Sequence, residues 1–373
     1  MKNKIKKNLR IIFIANAPLS SKKISTYQTL CQAQSLSKEC ELILFVPNRY
    51  DFVMEGKDVY TAANSQLGID KKLNFKIKTL DYLDLFNYRW INHHLRFAIS
   101  NFMFAFSAIK KALKLENELI YTRDFYTMVI LSVLKHFKLI KNKVAFESHQ
   151  FNNIRKFFTR NINFLIVINS YQKKLYKHKK SIVLHDCVWE KDIKKNINYV
   201  CERKSIFFSG SCTKTKGIEK ILSLSENLID YKFYIASLEN YKDNYIPKHF
   251  IRKNIIWLGR LKRKEVILFL RKMQYCILPN ELDNKNNLYT SPMKLFEYLS
   301  SGKAIIASPI NTVKEILDKN CFYELPNDEK LFPKFAELIR TSDPKKISKN
   351  YHKIVKEFTW EKRAVEFMNF VKG

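Results

Sequence analysis

Glycine is scarce in this chain, 7 residues in 373, and no Gly-x-Gly-x-x-Gly run occurs. A dinucleotide site built on that glycine turn is therefore not expected. The seven cysteines, at positions 31, 40, 187, 201, 212, 276 and 321, include no Cys-x-x-Cys pair and are odd in number. Buried free thiols in a reducing cytoplasm fit that pattern, and a disulfide framework does not. No apolar run reaches the roughly 18 residues of a membrane span. The basic first ten residues lead into an apolar stretch, 11–15, too short for the core of a secretory signal. A cytoplasmic chain is expected, with any membrane contact peripheral and at the inner face.

Acidic residues are also in short supply: 35 Asp and Glu stand against 67 Lys and Arg, a formal charge of +32. Lys, Asn and Ile are abundant throughout, so part of the excess is compositional. A surface this basic is also drawn to anionic lipid heads, sugar diphosphates or nucleic acid. The bases are spread along the chain without the aromatic-basic motif of an RNA module, so no nucleic-acid partner is expected. The length suits two domains, and 46% hydrophobic with 14% aromatic residues argues against disorder.

Read in order, Leu9-Arg10-Ile11-Ile12-Phe13-Ile14-Ala15 is a buried strand, residues 25–37 a helix and residues 41–46 a second strand. This is the opening of a doubly wound parallel sheet, whose ligands gather at the carboxyl ends of strands. Residues 50–80 read as polar and mixed until a strand at 75–80. Residues 90–115 show a long helical pattern rich in Phe and flanked by Arg89, Arg96, Lys110, Lys111 and Lys114. Two readings stay open there: a core helix with solvated ends, or an apolar, basic rim that docks on a bilayer. Strands follow at 119–124, 144–149 and 164–170, with Ser170 as the cap of a short helix. Arg123 closes the first of these and could meet a phosphate, an acceptor or a carboxylate. Glu147-Ser148-His149 closes the second. A Glu-x-His at the carboxyl end of a parallel strand has proton-handling chemistry, although an anchoring histidine would look the same. No second ligand stands at metal-binding spacing from His149. A second series of strands starts at 204–210 and continues at 254–260 and 275–280.

The segment with the most information is Thr290-Ser291-Pro292-Met293-Lys294-Leu295-Phe296-Glu297-Tyr298-Leu299-Ser300-Ser301-Gly302, followed by the apolar run 304–308. It reads as a hydroxyl cap, proline at the first helical position, an amphipathic helix, a glycine stop and a buried strand. Local structure explains Glu297 least, because its neighbours Met293, Leu295, Phe296 and Leu299 belong to a core. A hydroxyl-rich ligand or an ordinary surface position are the two readings. The segment resembles the nucleotide-sugar-binding element of family 4 retaining glycosyltransferases (glycosyl transferases group 1). The position eight residues before Glu297, where that family often carries a second glutamate, is Tyr289.

The resemblance covers nearly the whole chain, most weakly at 50–118 and 325–350. It implies that Glu297 accepts hydrogen bonds from the donor ribose. Ser211-Cys212-Thr213-Lys214-Thr215-Lys216-Gly217 is similar to the family's Gly-Arg-x-x-x-x-Lys-Gly motif, with Gly210 before it and Ser211 in place of the arginine. Lys216, Lys294 and a helix N-terminus would then hold the donor diphosphate. Gly259 and Arg260, and the loop residues Thr290, Ser291 and Pro292, would complete the donor side. Pro18, Ser20 and Ser21 of the first loop, with Arg123 and His149, would face the acceptor.

The implied fold is α/β of the GT-B type, two Rossmann-like domains facing each other across a cleft. Residues 1–188 would bind acceptor, 189–203 link, 204–356 bind nucleotide sugar, and 357–373 form a helix returning to the first domain. The implied reaction moves a hexosyl unit from a nucleoside diphosphate sugar to a sugar hydroxyl of a growing surface glycan, lipid-linked or free, with retention. His149, Glu297 and Lys216 are the catalytic candidates, and no cofactor or metal is expected; the chain has no Asp-x-Asp triplet. The partners implied are the nucleotide sugar, the glycan acceptor and an anionic membrane surface. A nucleotide-sugar epimerase of the same fold and a basic nucleic-acid-binding protein remain as alternatives.

Overall fold

The computed structural model describes residues 9–19, 21, 24–49, 58–68, 73–193, 200–237 and 252–373. The chain divides into two compact units, Met1–His185 with Trp360–Gly373, and Asp186–Thr359.

In the first unit the strands are β1 (Arg10–Ile14), β2 (Glu41–Pro47), β3 (Lys76–Leu80), β4 (Leu119–Thr122), β5 (Lys143–Ser148), β6 (Phe164–Val167) and β7 (Ser181–Val183). They pair in parallel in the order β3-β2-β1-β4-β5-β6-β7. The helices are α1 (Ile24–Leu36), α2 (Val59–Leu67), α3 (His93–Leu113), α4 (Phe125–His136), α5 (Asn153–Thr159) and α6 (Ser170–Tyr176), and α14 (Trp360–Lys372) returns to this unit.

The sheet is covered on both faces, which is why its central strands read as unbroken apolar runs. Side chains alternate along each strand. Ile12, Ile14, Ile120 and Val144 pack with Phe104, Ala108 and Ala112 of α3 and Met128 and Leu131 of α4. Tyr121 turns the other way, stacking on Phe13 at 4.4 Å and meeting Phe367 of α14 at 4.9 Å between ring centroids.

In the second unit β8 (Glu202–Ser209), β9 (Lys232–Ala236), β10 (Ile255–Gly259), β11 (Met273–Leu278), β12 (Ala304–Ala307) and β13 (Tyr323–Glu324) form a parallel sheet in the order β10-β9-β8-β11-β12-β13. Its helices are α7 (Ile218–Asn227), α8 (Arg263–Lys272), α9 (Met293–Ser301), α10 (Asn311–Ile316), α11 (Phe332–Thr341), α12 (Pro344–Ser348) and α13 (Tyr351–Val355). Phe208, Ile277 and Ile306 face α7 and α11, while their neighbours Phe207, Cys276 and Ile305 face α8, α9 and α13.

Three readings of the sequence need correction. Residues 50–80 contain α2, whose start Asp58 caps by accepting from the backbone of Tyr60 and Thr61. Asn169, not Ser170, caps α6, its side chain accepting from the backbone of Gln172. In α9 the cap position falls to Pro292, with φ −74° and ψ 114°. Ser291 is buried instead, and its hydroxyl accepts from the backbone N–H of Asp186 at 2.9 Å. Ser291 stands one residue before the cap position and gives its hydroxyl to the Asp186 backbone.

Scarce glycine leaves its mark on the backbone. Lys177 ends α6 in the left-handed region, φ 53°, where glycine is the usual occupant. Gly217 has φ 73°, and a Cβ there would lie 1.8 Å from the carbonyl oxygen of Pro279, so no other residue fits. Replacing Lys177 by Gly is expected to stabilise the protein by about 1 kcal/mol, and Gly217→Ala to destabilise it by more than about 2 kcal/mol. Urea denaturation of the two variants checks both signs.

Candidate active site

Two clusters of charge stand at the carboxyl ends of the strands, one in each unit. In the first, Glu147 at the end of β5 has a buried carboxylate, and the ends of two other elements, β4 and α14, supply its partners. Arg363 of α14 donates to Oε2 at 2.9 Å, and Arg123, just after β4, lies 3.3 Å from Oε1. The Tyr121 hydroxyl donates to Oε2 as well. Burial alone would raise the Glu147 pKa, yet Arg363 and then Arg123 hold it well below the usual carboxylate range.

His149 joins this cluster through Nε2, which lies 2.6 Å from Arg123 Nη2 and 2.8 Å from Glu147 Oε1. The imidazole keeps 28% of its side-chain exposure with Nε2 turned inward. Burial, followed by the Arg123 charge, lowers its pKa to about 4, against the opposing pull of Glu147. The ring is therefore neutral at ordinary pH. Nε2 thus lies between a guanidinium, which can only donate, and a carboxylate, which can only accept, and the neutral ring serves one of them in either tautomer.

The first loop holds itself closed. Pro18 and Ser21 are buried, and the Pro18 carbonyl accepts from Ser21 N at 3.0 Å and Thr26 Oγ1 at 3.3 Å. Ser20 lies outside the described residues.

The second cluster is made of cations. Lys294, in the first turn of α9, extends its ammonium over the Phe208 ring at 5.2 Å. A Cβ on Gly210 would lie 1.9 Å from that Nζ, so the bare glycine at the end of β8 makes the room for it. Burial, then the charge of Lys216, lowers the Lys294 pKa to about 8, only partly opposed by Glu297. Lys216 is lowered by burial, with no carboxylate raising it. It ends the 3₁₀ turn Lys214–Lys216, ahead of Gly217 and α7. Two half-buried ammonium groups therefore converge beside a helix N-terminus, and the described residues supply no matching anion to offset both.

Ser211 is half-buried beside them, Gly259 closes β10, and Arg260 after it is exposed. Thr290 uses its carbonyl to accept from the Thr312 hydroxyl.

Glu297 lies one turn beyond Lys294, and Arg263 of α8 donates to its Oε1. Arg263 also lies 3.7 Å from Asp192. A shallow cleft lined by Asp192, Arg263, Leu270, Arg271, Glu297 and Ser300 opens at this point. The sequence brought Lys216, Lys294 and Glu297 to notice but not Arg263, 34 residues before its partner and inside an ordinary basic run. Lys220 was also missed: it is buried in α7 and tied to Glu281 at 3.0 Å and Asn327 at 2.9 Å, which fixes the loop before α9 to α7.

Residues 190–356 match the family model described as glycosyl transferases group 1. No curated protein gives a significant match. The solved structures similar to this chain include sucrose-phosphate synthase from Thermosynechococcus elongatus, with TM-score 0.70 and 13% identity over 98% of each chain. HepE from Anabaena, solved with UDP, has TM-score 0.69 and 10% identity over 98% of this chain and 100% of that one. The lipopolysaccharide outer core galactosyltransferase WaaB has TM-score 0.64 and 13% identity over 98% and 99%. The fold is thus that of the GT-B glycosyltransferases, and the second unit carries the glycosyl transferases group 1 domain.

The assignment of a neutral His149 has a measurable consequence. An unfolded histidine takes up a proton near pH 6.5 while the folded one resists until about pH 4. Acidification through that window should therefore lower stability, before the separate loss below the carboxylate range as Glu147 protonates. Urea midpoints from pH 7 to pH 4 should fall less steeply in His149→Gln than in wild type; equal slopes would refute the assignment.

Proposed function

We propose that the protein is a retaining, metal-independent glycosyltransferase of family 4. It moves a hexosyl unit from a nucleoside diphosphate sugar to a hydroxyl of a growing surface glycan. The observation that carries this reading is the Lys216–Lys294 pair: two half-buried cations with too little counter-charge, beside the α7 N-terminus, make a ready seat for a diphosphate. The same charges would stabilise the diphosphate as it leaves the sugar. Glu297, its Oε1 held by Arg263, would offer its other oxygen to the ribose hydroxyls. His149 would line the sugar pocket, with Arg123 and Glu147 behind it. Gly210, Ser211, Gly217, Gly259, Arg260, Thr290, Ser291 and Pro292 would shape the donor side.

The solved relatives support the donor and acceptor classes. HepE is solved with UDP and with UDP and glucose, and WaaB is a galactosyltransferase of the lipopolysaccharide outer core. A lipid-linked acceptor is the form that would suit such a glycan.

Thermal melts with UDP, GDP, CDP and ADP test this directly. At about 100 times its dissociation constant, one diphosphate should stabilise the wild type by about 2.7 kcal/mol. The shift should shrink in Lys294→Met and in Glu297→Ala, and the protein should transfer the sugar of the matching donor. If none of the four moves the wild-type melt, the donor reading fails.

The low pKa of Lys294 adds a pH signature. Below about pH 8 the ammonium is already charged, and above it binding must bring a proton in. Affinity for the diphosphate should fall by up to about tenfold per pH unit above pH 8. Calorimetry on wild type and Lys294→Met should show that slope in the first and lose it in the second.

A further inference from the structure

The outer face of α3 has no part in the site described above, and its composition is unusual. On the inner side, Ser100, Asn101, Phe104, Ala105, Ala108, Ile109 and Ala112 are buried against the sheet and α4. On the other side Leu95, Phe102, Phe106 and Leu113 recur at spacings of seven, four and seven, which places them in one stripe along the helix. They are 54%, 48%, 53% and 41% exposed. The turn that leads into α3 adds Leu83, Tyr88 and Trp90, the last 82% exposed. Leu95 to Leu113 spans about 27 Å at 1.5 Å per residue. An apolar stripe of that length facing water is well beyond the scattered exposed side chains of an ordinary surface.

Between Asp84 and Glu116, which bound it, every charge is basic. Residues 85–115 contain Arg89, Arg96, Lys110, Lys111 and Lys114 and no Asp or Glu. The pattern extends to the neighbouring helices, since α3 packs on α4 and α4 on α5. Phe137 and Leu139 at the end of α4, and Ile154 and Phe157 of α5, are each more than half exposed. Across residues 85–185 there are 18 Lys and Arg against 4 acidic residues, and of those four Glu147 is buried. A compositional bias toward lysine would raise the number of bases; it would not by itself line exposed Phe and Trp along one helix.

We propose that this face of α3, with the exposed tips of α4 and α5, docks on an anionic lipid bilayer. Trp90, Phe102 and Phe106 enter the headgroup boundary, and the lysines and arginines pair with lipid phosphates. Charge complementarity selects this occupant: a second copy of the same face would bring like charges together, and a neutral surface would leave the bases unpaired. No helix of the described residues is long and apolar enough to cross a membrane, so attachment is in the plane of the surface. Docking would hold the enzyme where a lipid-linked acceptor lies. This attachment does not depend on the donor reading.

The test is co-sedimentation of the full chain with phosphatidylcholine vesicles, with and without phosphatidylglycerol. Wild type should sediment with the anionic vesicles, more weakly at high salt, and stay in solution with pure phosphatidylcholine. Two variants probe the two components: Phe102→Ser with Phe106→Ser, and Lys110→Glu with Lys111→Glu and Lys114→Glu. All five residues are exposed, so folding should survive. The lysine variant should lose partitioning by on the order of 100-fold, and the phenylalanine variant should also fall well below wild type. Both should keep the nucleotide-induced melt shift in solution, which separates loss of docking from loss of the donor site.

Three outcomes would overturn the proposal. The first is no affinity of wild type for anionic vesicles. The second is binding unaffected by the phenylalanine substitutions. The third is self-association without lipid that those same substitutions abolish, which would assign the face to a second copy of the chain.

Discussion

The carboxylate of Glu147 sits in the dry interior of the first sheet and stays ionised only because Arg363 and Arg123 are carried to it. Removing one partner of such a group leaves a buried charge uncompensated, at a cost of about 3–5 kcal/mol. The elements that supply those partners are therefore held in one arrangement. Arg363 fastens α14 to the end of β5 and to Gln32 of α1, and also donates to the backbone carbonyls of His185 at 2.9 Å and Leu184 at 3.3 Å. Arg123 spans from Thr29 and Gln28 of α1 to His149. The histidine is kept neutral and oriented as a result.

The second unit shows the opposite electrostatic condition. Lys216 and Lys294 are brought together without an anion sufficient for both among the described residues, and burial works against their charge. An arrangement that opposes its own ionisation is poor as a stabilising device and well suited to receive an anion. The buried Glu147 cluster is satisfied within its own unit, whereas the Lys216–Lys294 pair, on the proposed function, would leave charge for a ligand to satisfy.

Much of this was legible in the sequence. Strands buried on both faces announce themselves as apolar runs, as Ile11 to Ile14 and Ala304 to Ala307 did, and Gly302 marks its helix end by chemistry that few residues share. Lys216, Lys294 and Glu297 came to notice through the resemblance to the motifs of the glycosyl transferases group 1. What could not be read depends on partners distant along the chain. Ser291 is chemically able to cap α9 and does not: the cap position falls to Pro292, and the Ser291 hydroxyl serves the backbone of Asp186. Glu297 gave no hint of Arg263, nor Glu147 of Arg363. The two faces of α3 were both foreseeable as apolar, but only the packing tells which phenylalanines are core and which meet solvent.

The separation between Glu147 and Arg363, 216 residues, also bears on how the protein is made. Every strand of the first sheet precedes the second unit in the chain, and α14 follows it. At 5–20 residues per second, translation takes roughly ten to forty seconds to cover that distance. During this interval the first sheet has its strands but not the guanidinium that neutralises Glu147, and the side of Tyr121 that will meet Phe367 is bare. The first unit to emerge is thus the last that can be completed, and synthesis of the second unit sets the waiting time.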